Sequence, residues 1–290
     1  MVESAAAVRL PVLCARLNIC SRSEAVRYVK LGLVEVNGKT VQNAASLVPL
    51  SAQVRLKERG QRMQREKITV ALNKPLHYAA CRAPTGTPLA RALLVPENRA
   101  LTCRTKHDPR KLSNLWATDA LDVLTDGLLL FSQDGRITTR ITRSKDVEKE
   151  YRILLPGGAS SGQLAALRAT LEAEAAATPS TSDRGPPSFD LTNNPEDFDV
   201  DADEAAGEEA ATLHCEDLGE FLGSEDGSEP QGLLMKVVVR GPLPDTRLRR
   251  ACQLAGLPGA MLTRTRIGPI ELGRLPVGQW SVVKTAELIE

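Results

Sequence analysis

The chain has 290 residues, enough for two domains each with a core of its own, and its 37 basic and 36 acidic side chains leave it formally at +1. That balance hides a segregation: residues 156–232 carry 2 basic and 18 acidic groups, for −16, and the rest of the chain stands at +17. Segments 1–67, 68–155 and 233–290 are all biased positive, which points to a polyanionic partner, and no apolar run approaches the roughly 20 residues needed to cross a bilayer.

In chain order, residues 1–57 form a small helical and hairpin module. Leu10, Leu13 and Leu17 recur at helical spacing. Ser21 and Glu24 have the spacing of a capping box, so a second helix is predicted from about Arg22 to Leu31, with Gly32 as its stop. Val34-Glu35-Val36 alternates into Asn37-Gly38, a two-residue hairpin turn, and on into Lys39-Thr40-Val41. Residues 58–67 are polar, lack an apolar face, and suit an interdomain linker. From Ile68 onward, short apolar segments punctuated by Pro and Gly predict a mixed α+β domain running over 68–290. Arg104–Lys111 is a basic loop suited to phosphate.

Within that domain, Leu128–Phe131 is a continuous apolar run, as in a strand buried on both faces. Gly127 before it permits a tight turn or a close approach by another group. Asp122 then lies at the mouth of a buried strand, where a carboxylate is costly unless paired. It either ends a loop or is presented as a nucleophile. Residues 156–232 start with a predicted helix, 162–177, and turn Pro-, Ser- and Asp/Glu-rich, the composition of a disordered acidic insertion. Such a block could mimic RNA in a basic groove or be an inert solvated loop. The six cysteines are dispersed; Cys103-x-x-x-His107 and His214-Cys215 are too isolated to hold zinc. No metal site is expected, and the cysteines read as reduced thiols of an intracellular compartment.

Four motifs in order resemble the RsuA-type ribosomal RNA pseudouridine synthases. Leu121-Asp122, with Thr125 and Gly127-Leu128, is similar to the family's catalytic motif. Leu72-Asn73-Lys74-Pro75 resembles the opening motif, and Glu148-Lys149-Glu150-Tyr151 the Glu-Lys-x-Tyr motif. Leu248-Arg249-Arg250, followed by Arg264–Pro269, resembles the closing basic motif and its strand. Residues 1–57 resemble the RNA-binding domain of ribosomal protein S4. The resemblance implies an enzyme that isomerises a uridine in structured RNA, with Asp122 acting at the sugar, Arg249 as its cationic partner and Tyr151 stacking on the flipped uracil. It implies Arg16, Arg22, Arg27, Lys30, Lys39 and Lys74 as RNA-binding residues, no cofactor and no metal. The partner would be rRNA or a pre-ribosomal particle, bound by a monomer without a membrane. The compartment would be organellar in a eukaryote and cytoplasmic otherwise.

Three departures stand out. The family's Gly-Arg before Leu-Asp is Asp119-Ala120 here, which adds a negative charge near Asp122 and removes an arginine that serves base extrusion in related synthases. His77 occupies a position usually held by glycine. Leu243–Arg250 keeps only the end of its motif. An alternative therefore stays open, a catalytically impaired member that binds rRNA as an assembly factor.

Overall fold

The structure, a computed structural model, describes residues 7–81, 85–144, 146–177, 210–221, 223 and 231–288. Most of the acidic block, and with it the RNA-mimic expectation, lies outside the described residues.

The N-terminal unit forms much as its local signals dictate. Strand β1 (Ala7–Arg9) leads into α1 (Leu10–Arg16) and α2 (Arg22–Lys30). Ser21 accepts from the Glu24 amide and Glu24 accepts from the Ser21 amide, completing the capping box. Gly32 follows at φ +65°. Strands β2 (Val34–Val36) and β3 (Lys39–Val41) pair around Asn37-Gly38, both at positive φ as the tight hairpin turn requires. Strand β4 (Leu47–Pro49) pairs with β1, and β5 (Val54–Leu56) with β2. Leu10, Leu13, Tyr28, Val29, Val34 and Leu56 make this unit's core.

The stretch expected as a linker is instead a helix, α3 (Glu58–Arg65). Its packing face contains a glycine, which an apolar count overlooks: a Cβ on Gly60 would lie 3.4 Å from the Cβ atoms of Leu33 and Leu56. Met63 packs against the same core.

The second unit is built on a sheet with nine strands among the described residues. In chain order these are β6 (Thr69–Lys74), β7 (Trp116–Ala117), β8 (Thr125–Ser132), β9 (Glu148–Pro156), β10 (Thr212–Phe221), β11 (Gly232–Arg240), β12 (Met261–Ile267), β13 (Ile270–Glu271) and β14 (Trp280–Val283). The spatial order is β10-β11-β9-β12-β8-β6-β14, with β7 on β8 and β13 on β12; only β12 and β8 run parallel. Helix α4 (Gly135–Arg143) follows β8, α5 (Ser161–Ala176) follows β9, and α6 (Asp245–Leu254) lies between β11 and β12.

As its apolar run predicts, β8 is buried on both faces. Leu129 and Phe131 join the main core with Leu167 and Leu171 of α5 and Leu248 and Ala251 of α6. Leu128 and Leu130 face the other way, onto Ile137 and Ile141 of α4. The expected insertion is too long: β10 falls inside 156–232 and pairs along its length with β11. Leu213 and Cys215 of β10 pack on the main core while its acidic side chains face solvent, so a charge count masks a half-buried edge strand.

The two units meet at one buried carboxylate. Glu24 accepts from the Gly135 amide of α4 at 3.1 Å and pairs with the Lys67 ammonium. Arg136 donates to the Asn18 carbonyl at 3.2 Å. A Cβ on Gly135 would lie 2.5 Å from Ser21 Oγ, so only glycine lets α4 approach this closely.

Candidate active site

Asp122 stands in the loop that enters β8, and several elements hold it there. Its amide donates to Asp245 Oδ2 at 2.9 Å, from the first turn of α6. Its own Oδ2 accepts from the Leu124 amide at 3.3 Å, closing the loop on itself. The Val123 carbonyl accepts from the His77 amide at 2.7 Å. One helical turn beyond Asp245, Arg249 brings Nε within 3.5 Å of Asp122 Oδ2. The Arg249 Nη2 donates to the Leu124 carbonyl and, at 3.1 Å, to Thr125 Oγ1. Thr125 in turn hydrogen-bonds the Asp245 carboxylate. The two residues expected to act together thus share one side of the sheet, with the Asp122 side chain 22 % exposed and that of Arg249 16 %.

Beneath this loop lies a buried charge network. Arg264 on β12 is fully buried and donates through Nε to the Leu128 carbonyl at 2.8 Å. Its Nη1 reaches Asp119 Oδ2 at 3.1 Å and the Ala120 carbonyl at 3.4 Å. Lys149 on β9 meets the same Asp119 oxygen at 2.8 Å. Burial alone would raise the Asp119 pKa, but Lys149 and Arg264 outweigh it and hold the carboxyl below the usual range. The charge at Asp119 is therefore neutralised, and it pins the loop rather than opposing Asp122. Burial pushes Asp245 up. Gly127 serves a close approach: a Cβ there would lie 2.3 Å from the Arg264 carbonyl oxygen.

Tyr151 sits opposite Arg264 across the β9–β12 pair and hydrogen-bonds it. It is 1 % exposed, and burial pushes its phenol pKa up. His77 takes φ +65°, a left-handed conformation that explains why glycine suits this position.

The expected RNA contacts divide. Arg16, Lys30 and Lys39 are exposed on the N-terminal unit, and Arg22 and Arg27 are half-buried there, Arg27 lying 5.5 Å from the Tyr28 ring centre. Lys74 is the exception. It is fully buried, and its ammonium donates to the carbonyls of Pro75 at 3.1 Å and Tyr78 at 2.9 Å. Burial lowers its pKa to about 8 despite the pull of Asp245, Asp126 and Asp122. It faces the inside of the site, and no phosphate can reach it in this arrangement. The sequence reading passed over Asp245, Arg264, Lys149 and Thr125 as site residues; three of them sit within the quoted motifs, and Asp245 stands four residues before Arg249, one turn along the same helix. No cluster of three metal-ligating side chains occurs among the described residues, and no helix there is long and apolar enough to cross a membrane.

Comparison with known proteins adds to this geometry. Residues 8–54 match the S4 domain. A Mycobacterium leprae protein named as an uncharacterised RNA pseudouridine synthase is 28 % identical over 279 residues, 94 % of this chain and 88 % of the relative. A Mycobacterium bovis protein of the same description is 26 % identical over 97 % of this chain and 91 % of its own. The ribosomal large subunit pseudouridine synthase B of Haemophilus influenzae is 30 % identical over 170 residues, 57 % of this chain and 45 % of the relative. A solved structure described as a pseudouridylate synthase covers 97 % of the chain at 17 % identity and a TM-score of 0.44, a likeness too loose to add to the argument. Residues 8–54 thus match an S4 domain, and along nearly its whole length the chain is similar to proteins named as RNA pseudouridine synthases.

Proposed function

We propose that the protein isomerises a uridine in structured ribosomal RNA to pseudouridine, with Asp122 at the reacting sugar. The observation that carries this reading is the Asp122–Arg249 pair, held on the sheet by Asp245, Thr125 and the buried Asp119–Arg264–Lys149 cluster. The reaction breaks the bond between ribose C1′ and uracil N1, turns the base, joins C1′ to C5 and releases the C5 proton. A carboxylate beside C1′ either forms a covalent adduct or takes the 2′ proton to give a glycal. Both routes need Asp122 ionised, and Arg249 stands 3.5 Å from it as a counter-charge. In this reading Tyr151 receives the flipped uracil on its ring, an aromatic face replacing the stacking lost on extrusion. Because the ring is covered, the side chains packed over it must yield as the base enters. With Ala120 in place of the family arginine, extrusion falls to the RNA-binding surfaces and not to one inserted side chain.

The S4 unit would dock RNA through Arg16, Arg22, Arg27, Lys30 and Lys39, and the domain division follows that logic: RNA docking over residues 1–57, catalysis over 68–290. We assign a single chain as the working unit. All six cysteines are free thiols, which fits a reducing compartment. The relatives compared are bacterial, so we place the protein with rRNA in the cytoplasm; they lend no support to an organellar site.

The test is tritium release from RNA labelled at uridine C5. Wild type should release tritium in step with pseudouridine formed, and Asp122→Asn should stay at background. Release by Asp122→Asn at the wild-type rate would refute the assignment.

A further inference from the structure

Between the S4 unit and α4 lies a groove of about 300 Å³. Asn18, Cys20 and Ser21 line one wall; Arg136, Thr139 and Arg140 line the other, and no acidic side chain lines either. The sequence of α4, Gly-Arg-Ile-Thr-Thr-Arg-Ile-Thr-Arg, explains the groove's chemistry. Ile137 and Ile141 are buried against β8, while Arg136 and Arg140 recur at i and i+4 on another face. The side chains that α4 presents to the groove include Arg136, Thr139 and Arg140, with no acidic group among them.

Two of these arginines have different roles. Arg136 is bound by Asp134 at 2.7 Å and donates to the Asn18 carbonyl, so it serves the junction. Arg140 is half-exposed and meets no carboxylate among the described residues. The walls are held at a fixed spacing, because Glu24 ties Ser21, Lys67 and Gly135 together and Gly135 leaves no room for a side chain. Arg16 and Arg22, from the S4 unit, stand next in sequence to the residues of the opposite wall.

We propose that this groove is a phosphate-binding channel that carries the RNA backbone from the S4 unit onto the catalytic unit, with Arg140 as its main cationic contact. The inference rests on the RNA reading above and adds a surface where the S4 unit meets α4, apart from the catalytic site. A backbone phosphate suits it because the groove offers a cation and hydroxyl groups, and no aromatic ring lines it on which a base could stack.

The test measures affinity for a fluorescent RNA hairpin against salt concentration. Arg140→Gln should weaken binding about 3- to 10-fold near ~100 mM salt and lower the salt slope by about 0.7–1, the loss of one phosphate contact. Thr139→Glu, an exposed change that inserts a like charge into the groove, should weaken binding at least as much with an unaltered melting temperature. If wild type binds with a steep salt slope and both variants match it, the channel is refuted and the RNA reading stands. If wild type itself shows no salt-sensitive binding, both fall together.

Discussion

Asp122 is held by a short chain of side chains: Arg249 touches it, Thr125 accepts from Arg249, and Asp245 takes both the Thr125 hydroxyl and the Asp122 amide. Arg249→Gln should therefore lower turnover about 100-fold through misplacement of the carboxylate while leaving the fold intact; single-turnover rates with melting curves check this. Thr125→Val removes a donor from a buried carboxylate and should cost about 1–3 kcal/mol in urea unfolding. Lys74 gives a pH signature. Its folded pKa, about 8, lies below the ordinary 10.5, so between those values the unfolded chain holds a proton that the folded protein has given up. Stability must then rise with pH across that window and be flat below it for this group. The difference between wild type and Lys74→Met should show that rise; a constant difference would mean that Lys74 is not desolvated. At His77 the left-handed backbone costs a non-glycine residue about 1–2 kcal/mol, partly offset by the entropy that glycine would lose. His77→Gly should be neutral or slightly stabilising.

At the scale of elements, local signals were legible and long-range ones were not. The capping box at Ser21 and the Asn37-Gly38 turn act within a few residues, and both formed where the sequence places them. Leu128–Phe131 was readable because four apolar residues in a row leave no solvent face. The Asp122–Arg249 pairing spans much of the chain and was accessible only through resemblance. The Asp119–Lys149–Arg264 cluster joins a loop and two strands, and nothing local announces it. Lys74 was named through the motif resemblance, and what that did not convey is that it ends a strand buried at every position. Strand β10 was lost in its own charge, though Leu213 and Cys215 alternate as a half-buried strand should. The close approach of β8 to β12 is testable. Gly127→Ala would place a methyl 2.3 Å from a carbonyl oxygen and should cost about 3 kcal/mol or more, or prevent folding.

For the whole molecule, the arrangement of the two units depends on Glu24. Glu24→Gln leaves Lys67, whose side chain is 8 % exposed, without its counter-charge, and should cost about 3–5 kcal/mol. Amide exchange should quicken at Gly135 before it does within either core; uniform change would argue against a junction. The charge layout supports the same picture, because the positive segments fall in both units and a bound RNA would be held by each. The measurement that tests the central claim most directly is pseudouridine mapping of rRNA in cells lacking this protein, rescued with wild type or Asp122→Asn. The account predicts that one site is lost, returns with wild type and stays absent with Asp122→Asn. An unchanged map, with any ribosome defect rescued equally by both forms, would contradict it and leave a protein that works by binding alone.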